Sequence, residues 1–306
     1  MDNFEFYAPT RMIFGKDTHL QVGKIIKEYG FKKVLVHFGG NSAKKSGLLD
    51  TVLQALDQEG IAYVTLGGVQ ANPTLSMARQ GIELCQKEGV ELILAVGGGS
   101  DLDSSKCIAD GVGNPDVDVW KFFTKEAVPQ KALPVGTILT LAASGSEMSN
   151  SCVITNEEGG FKRGFGSVTH RPLFSICNPE LTYTVSKFQT GCGTVDIMMH
   201  TMERYFGLGE GTPVTDRIAE GLLKSVVEAG KVADQDPCNY EARANLMWAG
   251  SLSHNDLTHA GRSFFMQVHQ LEHELSGMYP RIAHGAGISA LWPSWARYVC
   301  ACRPSR

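Results

Sequence analysis

The chain has 306 residues, 43% of them hydrophobic and 20% charged, with a formal net charge of −4. That composition is ordinary for a soluble globular protein, and the length favours two domains. Lysines and arginines are dispersed, no apolar run reaches the length of a membrane span, and the start MDNFEFYAPTRMIF lacks a secretory pattern. Nucleic acid and membrane partners are therefore not expected, and the cytoplasm is the expected compartment. The eight cysteines (85, 107, 152, 177, 192, 238, 300, 302) lack CxxC spacing and read as reduced core thiols.

In chain order, the runs 32–38, 61–66, 91–100 and 132–139 read as strands, with helices near 47–59, 74–89 and 101–111 between them. Strand and helix alternating at this spacing predict a parallel sheet wrapped by helices. Shorter strand candidates follow at 151–155 and 172–177. Beyond about Lys187 the texture changes to helices near 187–206, 213–232, 239–257 and 262–276, with no convincing strand. The expected organisation is an α/β domain over 1–186 and an all-helical domain over 187–306. A cleft between two such halves would be the natural ligand site.

Three polar turns punctuate the first half. AVGGGSDLDSSK puts Gly97, Gly98, Gly99 and Ser100 between a strand and a helix. Free N–H groups and the positive helix end there suit a phosphate, although a tight turn alone would use the same glycines. HFGGNSAKKSG places Gly39, Gly40, Asn41 and Ser42 after an earlier strand, with Lys44 and Lys45 close by. An acidic residue after such a strand would grip a ribose diol and repel a 2′-phosphate. None stands there, which favours NADP(H) over NAD(H); the alternative is that the two lysines are only a solvated helix start. TLAASGSEMSNSC brings Thr140 and Ser144 into a third turn, and Lys162 follows in GGFKRGFGS, as a cofactor contact or a surface lysine.

The second half carries the metal chemistry. Asp196 and His200 are four apart in GTVDIMMHTMERYF and share one helix face. His269 and His273 repeat that spacing, and His284 follows a break rich in turn residues. A carboxylate with three imidazoles suits Fe²⁺ or Zn²⁺ better than Ca²⁺ or Mg²⁺. The alternative is scattered surface and core histidines.

Taken together, FGGNSAKKSG, GGGSDLDSSK, SGSEMSN, NPELTYTVS, GTVDIMMHTMERYF and HQLEHELSGMYPRIAHGAG resemble the iron-containing (group III) alcohol dehydrogenases. The likeness runs from the start to about Tyr298 and is greatest to the NADPH-dependent butanol dehydrogenase and aldehyde reductase branch. The resemblance implies a dehydroquinate synthase-like architecture, with a dinucleotide-binding α/β domain and then a helical metal domain. It implies Asp196, His200, His269 and His284 as ligands of Fe²⁺, with Zn²⁺ as the alternative. Gly97, Gly98, Gly99 and Ser100 match the pyrophosphate turn, and Asp103 an acid near the nicotinamide end. Gly39, Gly40, Asn41 and Ser42 match the adenosine ribose and 2′-phosphate turn. Thr140, Ser144 and Lys162 match further cofactor contacts, and His273 a non-ligand histidine beside the metal.

The implied reaction is metal-assisted hydride transfer between NADP(H), or alternatively NAD(H), and a primary alcohol or aldehyde. His273 would start a proton relay, with support of the neighbouring helix as its alternative role. A homodimer is expected. Two departures stand out: the His269–His284 interval, with Pro280, is one residue longer than the family pattern, and the tail CACRPSR does not resemble the family's further helices. An incomplete helical domain is therefore expected, and with it a non-catalytic nucleotide- and metal-binding remnant as the second reading. Phosphorylated substrates, as in the similarly folded glycerol-phosphate dehydrogenases and dehydroquinate synthases, are disfavoured by sparse basic residues near the ligands. A metal-dependent hydrolase would leave the glycine turns unexplained.

Overall fold

The computed structural model describes residues 1–302. They form two compact units: one takes Pro9–Thr140 and Ser146–Leu181, the other Met1–Ala8, Leu141–Gly145 and the chain from Thr182 onward.

In the first unit the elements run β1 (Arg11–Phe14), α1 (Val22–Glu28), β2 (Lys33–Gly39), α2 (Ser42–Lys45), α3 (Leu48–Gln58), β3 (Ala62–Val69) and α4 (Leu75–Glu88). Then come β4 (Leu92–Gly97), α5 (Gly99–Gly113), α6 (Trp120–Phe123), β5 (Val135–Leu139), β6 (Ser151–Asn156), β7 (Phe161–Gly166) and β8 (Phe174–Cys177). Six strands make one sheet in the order β1-β8-β5-β4-β2-β3, every pairing parallel. β6 and β7 form a separate antiparallel pair.

The central strands are apolar on both faces, as a sheet covered on both sides requires. Val34, Val36, Leu92 and Leu94 point into one cluster with residues of α1 and α3, such as Ile26 and Val52. Leu35 and Ile93 point into the other with Ala78, Cys107 and Ile108 of α4 and α5. The expected parallel α/β layer is what forms. The strands β1 and β7 and the helix α1 were not expected. β1 closes one edge of the sheet beside β8 with only four residues, and two of them are exposed.

The second unit is helical: α7 (Lys187–Tyr205), α8 (Pro213–Gln235), α9 (Tyr240–Ser253), α10 (Gln267–Met278) and α11 (His284–Cys302). Local chemistry sets the starts. The Ser186 hydroxyl accepts from the Gln189 N–H, Pro213 opens α8, and the Asn239 side chain accepts from the Ala242 N–H. Ile197, Val226, Ala229 and Leu246 join α7, α8 and α9 in one core, and Met199, Val268 and Ile288 join α7, α10 and α11 in another. The terminal segment belongs here because the Asp2 N–H donates to the Gly261 carbonyl at 2.9 Å. Among the described residues no helix is long and apolar enough to cross a membrane.

The cysteines correct one expectation. Cys85, Cys107, Cys152 and Cys177 are buried and free, but Cys238, Cys300 and Cys302 are exposed and Cys192 is intermediate. Cys238 lies in the polar turn before α9, and Cys300 and Cys302 stand at the exposed end of α11, where the apolar neighbours Val299 and Ala301 gave a false signal.

Candidate functional site

In the helical unit, α7, α10 and the first residue of α11 converge. Asp196 and His200 lie one turn apart on α7, and with His269 of α10 their ligating atoms all fall within 4.8 Å of one another. Asp196 Oδ1 is 3.5 Å from His269 Nε2, 3.7 Å from His200 Nδ1 and 3.7 Å from His284 Nε2. Those distances are too long for good hydrogen bonds. They match ligands sharing one tetrahedral ion, which stand about 3.4 Å apart when each bond is about 2.1 Å. Asp196 Oδ1, His200 Nδ1 and His269 Nε2 are buried without a hydrogen-bond partner. Buried polar atoms are rarely left so, and a metal ion would satisfy all three. The residues therefore fit the group that the sequence implies. The side chains of Asp196, His200 and His269 are 3–6% exposed and that of His284 is 26%, so the cluster opens to solvent at His284.

Two carboxylates that sequence reading passed over orient this set. Glu203 of α7 accepts from the backbone N–H of Val268 at 2.6 Å and from His269 Nδ1. Glu272 of α10 accepts from His284 Nδ1 and from the Ser276 hydroxyl. Each fixes a proton on Nδ1 and leaves Nε2 as the lone-pair atom facing Asp196, the carboxylate–histidine arrangement usual around metals. The signal was present: Asp196, His200 and Glu203 fall at i, i+4 and i+7, and His269 and Glu272 at i and i+3. Burial, followed by neighbouring His254 and His269, drives the His200 pKa well down and keeps that ring neutral. On His269 burial acts downward too, but the carboxylates of Asp196 and Glu203 outweigh it and the net shift is upward. A dication there would displace a proton, so affinity should fall with falling pH.

His273 groups with Glu272 and His284 within 4.8 Å, its ring 5.5 Å from that of His284. His254, also unanticipated, stacks on His200 at 4.2 Å, and its Nδ1 meets the Ser144 carbonyl at 2.8 Å. Ser144 thus reaches the histidine cluster through its backbone.

Glycines set where His284 sits. α10 ends at Met278 before Pro280, and α11 begins at His284 itself. A Cβ on Gly285 would lie 2.1 Å from the Cys192 carbonyl oxygen and 2.6 Å from its carbon, both backbone atoms of α7. Gly285→Ala should push α11 off α7, costing about 1–3 kcal/mol by overpacking and shifting His284. Calorimetry and a Zn²⁺ titration check this; wild-type metal affinity at an unchanged Tm would sink it.

In the sheet unit the two glycine turns emerge side by side, because β2 and β4 are neighbours in register, Phe38 opposite Val96. Gly97 ends β4, Gly98 caps α5, and Gly99 and Ser100 form its first turn. The Gly98 N–H donates to Asp101 Oδ2 at 2.9 Å, and a Cβ on Gly97 would fall 2.0 Å from that oxygen. Burial pushes the Asp101 carboxyl up to about 7, against hydrogen bonds from the Gly98 and Asp101 N–H groups. Gly40, Asn41 and Ser42 are exposed. The Thr140 N–H donates to the Gly97 carbonyl at 2.9 Å.

Asp103 is engaged at both oxygens, by the Ser146 hydroxyl at 2.6 Å and the Val153 N–H at 3.0 Å. Burial raises its pKa while Lys106 opposes the shift. Lys106 is itself fully buried and donates to the carbonyls of Ser146, Ser151 and Ser149 at 2.8, 2.8 and 3.2 Å. Lys162 is buried on β7 opposite Thr155, so it is not a surface lysine.

Residues 9–179 match the family model "Iron-containing alcohol dehydrogenase", and residues 190–306 match "Fe-containing alcohol dehydrogenase family, C-terminal". The chain is 44% identical over 299 residues to NADH-dependent butanol dehydrogenase A of Clostridium acetobutylicum, covering 98% of this chain and 76% of that protein. It is 37% identical over 281 residues to the NADPH-dependent aldehyde reductase YqhD of Escherichia coli, covering 91% and 72%. Among solved structures, NADH-dependent butanol dehydrogenase A of Thermotoga maritima superposes with a TM-score of 0.97 at 39% identity, covering 100% of this chain and 76% of that one. The chain belongs to the iron-containing alcohol dehydrogenase family.

Proposed function

We propose that the chain transfers hydride between a nicotinamide dinucleotide and a primary alcohol or its aldehyde, with Asp196, His200, His269 and His284 holding a divalent metal. The observation that carries this reading is the ring of three histidine nitrogens 3.5–3.7 Å from Asp196 Oδ1, with buried atoms that no hydrogen bond satisfies. Fe²⁺ or Zn²⁺ would supply a Lewis acid for the substrate oxygen there, Zn²⁺ competing well on affinity. Glu203 and Glu272 keep His269 and His284 in the ligating tautomer. His273, half-buried beside His284, carries a proton between the substrate oxygen and water. The start of α5 offers the N–H groups of Gly99 and Ser100 to a pyrophosphate, while that of Gly98 is taken by Asp101, and Asp103 with Lys106 holds the 146–151 turn.

The residues of the 39–42 turn, taken alone, support NADP(H), because none is acidic and Lys44 and Lys45 follow. NAD(H) is the second reading, supported by the two relatives named as NADH-dependent butanol dehydrogenases. The test is NADH and NADPH oxidation with butanal, on protein purified without oxygen and loaded with Fe²⁺ or Zn²⁺. Turnover should appear with metal and vanish on chelation. Metal and dinucleotide binding without turnover on any short aldehyde would replace this reading with a non-catalytic binding chain.

A further inference from the structure

In dinucleotide folds the strand beside the glycine turn ends in an acid that takes the ribose diol and turns away a 2′-phosphate. Here the turn follows β4, the neighbouring strand is β2, and β2 ends in Gly39, which has no side chain to offer. The gap is filled from another element. Asp101, in the first turn of α5, anchors Oδ2 on the Gly98 N–H and directs Oδ1 at Gly39. A Cβ on Gly39 would sit 3.2 Å from that Oδ1. Asp101 is 9% exposed, and Oδ1 has no hydrogen-bond partner.

We propose that Asp101 sets the choice between the two dinucleotides, supplying from α5 the carboxylate that β2 lacks and favouring the 2′-hydroxyl of NAD(H) over the 2′-phosphate of NADP(H). This rests on the nicotinamide reading above. A buried charge is screened by salt far less than an exposed one. Lys44 and Lys45, which would attract the phosphate, are both exposed, and each must order a long side chain to do so. Above about pH 7, where Asp101 is ionised, the fixed carboxylate therefore outweighs them. Its geometry also explains why the turn itself can be free of acids without becoming a 2′-phosphate site.

Asp101→Asn keeps the acceptor for Gly98 and the side-chain shape while removing the charge. Kd values for NADH and NADPH are measured by fluorescence titration of the metal-loaded protein, at about pH 8.5, where a carboxyl with a pKa near 7 is ionised. Wild type should bind NADH more tightly. The variant should shift the ratio of the two Kd values toward NADPH by about tenfold or more. Should Asp101→Asn fold poorly, Asp101→Ser, which also caps Gly98, gives the same comparison. A wild-type preference for NADPH, or a ratio that moves less than about twofold in a folded variant, overturns the assignment. If neither dinucleotide binds the wild type, the nicotinamide reading falls and this inference with it; binding of both with an unmoved ratio removes only the role of Asp101.

Discussion

Replacing His269 with alanine is expected to abolish metal-dependent turnover and weaken metal binding by more than about 100-fold, whereas Glu203→Gln should cost about 10- to 100-fold. The difference follows from position. His269 Nε2 is one of the three clustered buried atoms without a partner, with Asp196 Oδ1 and His200 Nδ1, so its loss removes a donor from the set itself. Glu203 stands behind His269, accepting from its Nδ1 and from the Val268 N–H. An amide has one acceptor oxygen where the carboxylate has two, and no negative charge to strengthen the imidazole as a donor. Glu203→Gln should therefore leave a weaker, looser site and not an absent one. Competition with a chromophoric chelator separates the three affinities, and calorimetry of the metal-free proteins separates binding from stability. Equal metal affinity in wild type and His269→Ala would mean that these four residues are not the metal site.

The sequence made this cluster legible because its information is local. Asp196 with His200, and His269 with His273, sit at helical spacing, so one face of each helix could be read without knowing how the helices pack. Glu203 and Glu272 lie on the same faces at equally regular spacing, yet their role appears only when α7, α10 and α11 meet, since each carboxylate serves a histidine from a different stretch of chain or turn. Asp101 was overlooked for a related reason. The acid that reads a ribose is sought at the end of the neighbouring strand, and here it comes from the helix that follows the glycine turn.

The fold shows the same division. Long apolar runs such as β4 and β5 announce a sheet buried on both faces. β1 has four residues and a half-exposed pattern, and gains its definition from pairing with β8, 160 or so residues later. α11 was not among the expected helices, and Gly285, Gly287 and Pro293 within it are poor helix formers. Tertiary packing overrides that preference: Gly285 admits the α7 backbone, and Gly287 leaves room for the Glu272 side chain, whose Cγ would stand 2.9 Å from an added Cβ.

Lys106→Met should destabilise the sheet unit by about 3–5 kcal/mol, the usual cost of removing one partner from a buried charged network. Methionine matches the length and apolar stem of lysine, so the substitution isolates the ammonium. Three carbonyls, those of Ser146, Ser149 and Ser151, lose their donor, and each buried acceptor left unmet costs about 1–3 kcal/mol unless water reaches it. Asp103 loses the opposite charge that offsets its burial, although Ser146 and Val153 still donate to it. Because Lys106 ties the start of β6 and the 146–151 turn to α5, loosening should concentrate there. Hydrogen exchange should speed up first at the amides of 146–153 and in α5, ahead of global unfolding followed by urea. A loss below about 1 kcal/mol would mean that water replaces the ammonium and that the lysine is not a structural tie. Dinucleotide affinity separates two further possibilities. If it falls with stability, the 146–151 turn must be held in place for the cofactor to bind; if it survives, Lys106 serves the fold alone, and the dinucleotide depends on the glycine turns without it.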